Sequence, residues 1–208
     1  MHFDERKIQH LQNQFDQQFI KLVYNAAKNS DSRPATVGKI VNGKYTTEYN
    51  KWCTANFVSY EQFTEQVDIL KNKCQEIIEE KYKVKCLDVE IHFLHYMSES
   101  EYKSHIDGQY IDEGIAKRGV DRDITCVLYL NDDYEGGNIR FDFFNKKFKP
   151  HTGDLLIYPT TWQFTHAVEK VKGERYAIVF WYTTSPELNV ESKITDKNIQ
   201  RFLQSITA

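Results

Sequence analysis

The stretch Asp88-Val89-Glu90-Ile91-His92-Phe93, residues 88–93, decides the fold. Val89, Ile91 and Phe93 alternate with Asp88, Glu90 and His92, the period-two pattern of a strand that buries one face. Before it the apolar period is that of a helix. After it the legible segments are short strands.

Working upstream, Val67, Leu70, Cys74, Ile77 and Ile78 form the apolar stripe of an amphipathic helix across roughly 61–82. Residues 4–28 place Ile8, Leu11, Phe15, Phe19, Leu22 and Ala26 at three- and four-residue steps, which predicts a first helix. Between them Asn29 to Lys51 is polar and reads as a loop, with a short hairpin near Asn42-Gly43. Downstream, Ile124 to Leu130 is a near-continuous β run. Asn138 to Phe144 alternates, with Ile139, Phe141 and Phe143 on one side. Asp154 to Tyr158, a piece around His166 and Tyr176 to Thr183 complete the strands. Short strands separated by Gly- or Pro-containing turns predict a sandwich or jelly roll. The fold class is α+β, mainly β. The division is one domain over 1–208: a helical N-terminal segment over 1–86, a β core over 87–184 and a tail over 185–208. In the tail Ile199, Phe202 and Leu203 dock a short helix.

The 208 residues suffice for a core and a cleft. A net charge of −3 without a basic stripe argues against a nucleic-acid partner. No stretch reaches the ~18 apolar residues of a membrane span. The start, MHFDERKIQHLQ, lacks an apolar signal segment, and Cys53, Cys74, Cys86 and Cys126 show no C-x-x-C pair or zinc spacing. Free thiols and a cytoplasmic location are therefore expected.

Chemistry enters with His105-Ile106-Asp107. The i, i+2 spacing as a strand ends puts both side chains on one face, so both can reach one ion. His166 lies 59 residues past Asp107, enough chain to cross a sandwich and return. Two histidines and a carboxylate suit one face of an octahedral iron(II). Alone, each has a plainer reading as a core or surface residue. Arg175 shares a strand face with Ala177, Val179 and Trp181, so it either reaches water at the strand edge or needs a buried anion. Tyr129 is a candidate second donor to that anion, as is Tyr96, though among 13 tyrosines either one is core by default. Trp162 and Trp181 are candidates for the pocket wall. His92 reads as a surface strand residue and His151 as belonging to a turn.

From about Tyr96 to Thr184 these motifs fall in a familiar order. They are His105-Ile106-Asp107, Ile124 to Asn131, Tyr134-Glu135-Gly136-Gly137, Pro150 to Leu156, and His166-Ala167-Val168 with Gly173 to Ile178 and Trp181. In this order they resemble the prolyl 4-hydroxylase family of iron(II)/2-oxoglutarate-dependent dioxygenases. The resemblance implies a double-stranded β-helix with helices packed on one sheet, and His105, Asp107 and His166 as iron ligands. It implies that Arg175 salt-bridges the distal carboxylate of 2-oxoglutarate, with Tyr129 hydrogen-bonded to it and Tyr96 lining the pocket. O₂ is the further co-substrate, and ascorbate an accessory reductant. The implied reaction couples decarboxylation of 2-oxoglutarate to succinate and CO₂ with hydroxylation of a C–H bond.

Collagen-type enzymes carry a lysine ten residues after the distal histidine, where this chain has Tyr176. An arginine at nine is instead similar to the oxygen-sensing and ribosomal-protein prolyl hydroxylases. The expected partner is a proline-containing peptide or protein. Two alternatives stand beside it: hydroxylation of a free amino acid or other small molecule, and a metal-binding jelly roll without turnover. Gly108 to Asp123, charged and flexible, reads as a loop that closes over substrate.

Overall fold

A computed structural model describes residues 4–41, 44–49 and 53–207. The N-terminal region holds β1 (Gln9–Leu11), α1 (Gln17–Lys28), β2 (Ser32–Pro34), β3 (Thr36–Val41), β4 (Lys44–Tyr49), β5 (Asn56–Val58) and α2 (Thr64–Tyr82). The core follows with β6 (Lys85–Tyr96), β7 (Tyr102–His105), β8 (Gln109–Asp112), β9 (Ile115–Arg118) and β10 (Ile124–Tyr129). Next come β11 (Glu135–Gly136), β12 (Ile139–Phe141), β13 (Lys146–Phe148), β14 (Leu155–Pro159), β15 (His166–Val168) and β16 (Val171–Lys172). The chain continues with β17 (Arg175–Ser185), β18 (Ser192–Lys193) and α3 (Lys197–Thr207).

A seven-stranded sheet in the order β1-β14-β10-β17-β6-β5-β2 faces a four-stranded sheet, β13-β12-β15-β7. On its outer face Ile124, Cys126, Leu128, Ile178 and Phe180 pack against Ile20 and Val23 of α1 and Val67, Leu70, Cys74 and Ile78 of α2. Burying each such side chain contributes about 1.5–3 kcal/mol, whereas a helix of this length is marginal by itself. On the inner face Val127, Tyr129, Leu156, Tyr158, Ala177 and Val179 meet Ile139, Phe141 and Val168 of the smaller sheet. Strands β10 and most of β17 are thus covered on both sides, which is why they read as continuous apolar runs rather than alternations. The result is the mainly β jelly roll with helices on one sheet.

The second helix matches its predicted stripe, with Val67, Leu70, Cys74, Ile77 and Ile78 all buried. The first differs. It begins at Gln17, where the Asp16 carboxylate caps it by accepting from the Phe19 amide at 2.9 Å. It buries Ile20, Val23 and Ala27, and leaves Leu22 51% exposed. Residues 9–11 instead pair with β14, because that sheet edge offers main-chain hydrogen bonds that a helix there would forgo. In 29–51 the polar segment is mostly strand: β3 and β4 pair from Thr36↔Tyr49 to Val41↔Lys44. The Asn42-Gly43 dipeptide lies outside the described residues.

The segment 108–123 is not a flexible loop. Strands β8 and β9 form a hairpin whose outer edge pairs with β18, Ser192 opposite Ala116. Ala116 is fully buried with Trp162, Ile194 and Leu203, and Ile199 and Phe202 of α3 pack onto them. Asp123, also fully buried, takes Arg118 at 3.0 Å and accepts the amides of Thr184, Leu188 and Asn189. Trp162 belongs to this platform, edge-on to Phe143 at 5.7 Å, and not to a metal pocket. Phe143 likewise turns away from Ile139 and Phe141, since it lies past the end of β12.

Candidate functional site

Strands β7 and β15 are neighbours in the smaller sheet, with His105 opposite His166. Asp107 follows two residues past the end of β7. Its carboxylate lies 3.4 Å from Nε2 of His105 and 3.7 Å from Nε2 of His166. One ligand atom from each of the three falls within 4.8 Å of the others. Each imidazole is oriented by its own backbone: Nδ1 of His105 meets the Lys103 carbonyl at 2.8 Å, and Nδ1 of His166 the Phe164 carbonyl at 2.9 Å. A carbonyl accepts only, so the proton sits on Nδ1 and the Nε2 lone pair faces the cluster. Burial, with His105 beside it, pushes the His166 imidazole down to about 4, which keeps it neutral and able to ligate at pH 7. Burial alone would raise the Asp107 carboxyl. The two histidines beside it and the Thr125 hydroxyl override it and hold the group well below the usual carboxylate range. The Thr125 hydroxyl donates to Asp107 Oδ2 at 2.6 Å.

Thr125 and Tyr129 lie on the same inner face of β10, about 13 Å apart at the antiparallel strand rise. At the Tyr129 end Arg175 is 1% exposed. Its guanidinium lies 4.7 Å from the Tyr96 ring centre and 5.0 Å from that of Tyr129. Arg175 Nε and Nη1 and the hydroxyls of Tyr129 and Tyr134 are buried without a hydrogen-bond partner among the described residues. A buried cation in that condition is costly, and a carboxylate beside it would offset the charge and accept from several of these donors. The Gly136-Gly137 pair makes room for this end. Both have positive φ, and a Cβ on Gly137 would sit 2.9 Å from Tyr134 Cε2 and 3.2 Å from Arg175 Cδ.

At the mouth beside the metal cluster, Arg122 stacks over Trp181 at 3.8 Å and forks onto Glu90 at 2.8 and 2.7 Å. Burial would raise the Glu90 carboxyl, but His92 and Arg122 bring it down to about 2. His92 is not a plain surface residue. It meets Trp181 edge-on at 4.9 Å and packs on Phe57 at 4.6 Å, because its face of β6 is the inner one.

The residues singled out in the sequence therefore gather as two groups on one inner face: His105, Asp107 and His166 at one end, Arg175, Tyr129 and Tyr96 at the other. Other histidines lie elsewhere: His10 on Asp154, His151 on Asp132, and His95 stacked on Tyr176. The sequence does not single out Thr125, Tyr134 or Tyr158 as site residues. Period-two alternation from Tyr129 reaches Thr125, and Tyr134 adjoins the Gly-Gly pair. Nothing in sequence marks Tyr158.

Two histidines and one carboxylate with open positions fit iron(II) bound for oxygen chemistry, and the unpartnered Arg175 fits a dicarboxylate. Residues 91–183 match the family model of the 2OG-Fe(II) oxygenase superfamily. A PKHD-type hydroxylase of Prochlorococcus marinus strain NATL2A is 32% identical over 121 residues, 56% of this chain and 48% of that protein. Human prolyl 3-hydroxylase 2 is 35% identical over 71 residues, 31% of this chain and 10% of that protein. The chain thus spans about half the length of the PKHD-type relative. In fold, a Pseudomonas putida prolyl-4-hydroxylase superposes with a TM-score of 0.64 at 16% identity, covering 85% of this chain and 92% of that one. A Trichoplax adhaerens prolyl hydroxylase, solved with a hypoxia inducible factor peptide fragment, gives 0.64 at 16% identity over 88% and 86%. Both ends of the site lie inside the segment that matches the 2OG-Fe(II) oxygenase superfamily, and the donor set there fits iron(II) and a dicarboxylate co-substrate.

Proposed function

We propose that the protein hydroxylates a prolyl residue in a peptide or protein, releasing succinate and CO₂. Iron(II), 2-oxoglutarate and O₂ together supply the oxidising chemistry when bound. His105, Asp107 and His166 hold the metal, each already oriented by a backbone or hydroxyl partner. Arg175 takes the distal carboxylate of 2-oxoglutarate as a charge-assisted pair, with Tyr129 and Tyr134 donating beside it and Tyr96 walling the pocket. Val127, Leu156 and Val179 line the space between and exclude water from it. Trp181 and Arg122 offer a flat surface at the mouth on which a pyrrolidine ring can rest.

The unpartnered donors of Arg175 carry this reading, because a metal site without turnover has no use for a buried dicarboxylate anchor. The prolyl substrate is supported by the relatives and by the aromatic mouth. Residues 1–208 act in this reading as one unit, in which the segment before β6 supplies α1, α2 and three strands of the main sheet, and the tail after β17 braces the hairpin of β8 and β9. Four buried free thiols suit a reducing compartment, and no helix among the described residues is long and apolar enough to cross a membrane.

Anaerobic titration of iron(II) and 2-oxoglutarate tests the chemistry through its weak visible charge-transfer band. Wild type should develop the band and Arg175→Met should need far more 2-oxoglutarate to do so. No band in wild type, together with equal binding by the variant, defeats the reading. Mass spectrometry after turnover with proline-containing peptides and free amino acids then tests the substrate. A +16 Da product on free amino acids alone would move the assignment to a small-molecule hydroxylase.

A further inference from the structure

Tyr158 stands on the inner face of β14, opposite Thr125 of β10, and is 1% exposed. Its hydroxyl oxygen lies 3.0 Å from Nε2 of His166. Phe141 locks the ring edge-on at 4.9 Å, and the His166 ring lies 4.8 Å away on its other contact. Since Nδ1 of His166 spends its proton on the Phe164 carbonyl, Nε2 is an acceptor and Tyr158 is the donor.

A metal requires that same lone pair, and one lone pair cannot serve both. Metal loading therefore strips a buried phenol of its acceptor in a pocket with few others. The Thr125 hydroxyl gives its proton to Asp107 and keeps a neutral lone pair within reach of Tyr158, while Asp107 itself turns to the metal. A carboxylate oxygen seated at the open face of the metal is the stronger acceptor. We propose that Tyr158 is a positioning residue whose hydroxyl donates to the 2-oxo acid end of the co-substrate, opposite the end that Arg175 holds. This rests on the function proposed above. The co-substrate is then gripped at both ends by side chains, and the choice of a 2-oxo acid depends on protein as well as on metal.

The test is Tyr158→Phe, which keeps the ring and removes the donor, read in two binding titrations. Mn(II) binding without co-substrate should be as tight as wild type or tighter, because the hydrogen bond the metal must displace is gone. Binding of 2-oxoglutarate to the metal-loaded variant should weaken about tenfold, the loss of one hydrogen bond to a charged group. A shifted charge-transfer band in the iron(II) form should accompany it. A residue that merely shapes the site would weaken both steps, and that result overturns the proposal, as does unchanged 2-oxoglutarate affinity. If wild type itself binds no 2-oxoglutarate, the proposed function fails; if only the variant matches wild type, the role of Tyr158 alone fails. Should the Phe form not fold, Tyr158→Met fills the space without a donor and gives the same two readings.

Discussion

The two ends of the inner face are built on opposite plans. At the metal end His105, Asp107 and His166 are held by the Lys103 and Phe164 carbonyls and the Thr125 hydroxyl before any ion arrives. At the other end Arg175, Tyr129 and Tyr134 are equally buried yet keep donors without partners. A metal forms strong bonds to ligands that are already aimed, so order at that end costs little once three atoms converge. An organic anion must supply the missing hydrogen bonds itself, so the protein leaves them open and gives up stability for binding. The first end is finished by folding; the second is finished by its ligand.

The most severe break in that contrast is Asp107→Ala. Succinate release should fall to background. Metal affinity should drop beyond the about 10–100-fold typical of losing a mere supporting partner. Next is Arg175→Met, which should separate stability from binding. Affinity for 2-oxoglutarate should fall by about thirtyfold or more, the scale of removing one member of a buried charge pair. The ligand-free protein should become more stable by about 1–3 kcal/mol in urea unfolding, since the unsatisfied buried donors are gone. Loss of stability in that variant would mean Arg175 is already satisfied.

A subtler probe is Gly137→Ala. Its Cβ would meet Tyr134 and Arg175 at 2.9 and 3.2 Å at a φ of +60°, so the open end must shift while the metal end is untouched. Stability should fall by about 1–3 kcal/mol, and calorimetry should show weaker 2-oxoglutarate binding with unchanged Mn(II) binding.

The smallest effect belongs to the mouth. Glu90 titrates near 2 in the fold against 4.5 for a free glutamate. Its folded value is depressed, so its contribution is fully present above 4.5 and disappears as pH falls from there toward 2. With the Glu90 side chain 45% exposed, solvent screens the pair, and the contribution is under about 1 kcal/mol. Comparing the acid unfolding of Glu90→Gln with wild type checks it; the variant should lack that portion of the slope.

Legibility in the sequence followed the range of the forces involved. Helix α2 was readable because its stripe repeats locally, and β10 because a strand covered on both faces is apolar throughout. The start of α1 was not, because residues 9–11 are claimed by a sheet edge formed by residues 155–157, far away in the chain. The hairpin of β8 and β9 looked like a charged loop because its buried side chains are few. What holds it is the Arg118–Asp123 pair and the returning tail.

The same division applies to the site. By itself the sequence marked His105, Asp107, His166 and Arg175 as candidates, since their chemistry resides in residue type, spacing and order. Only the tertiary structure decided that Thr125 steadies Asp107, that Tyr158 reaches His166, and that Arg175 is left with open donors. Those facts depend on strand register, on which side chains lie across from one another between two sheets, and on which donors find no acceptor there. A linear pattern carries none of the three.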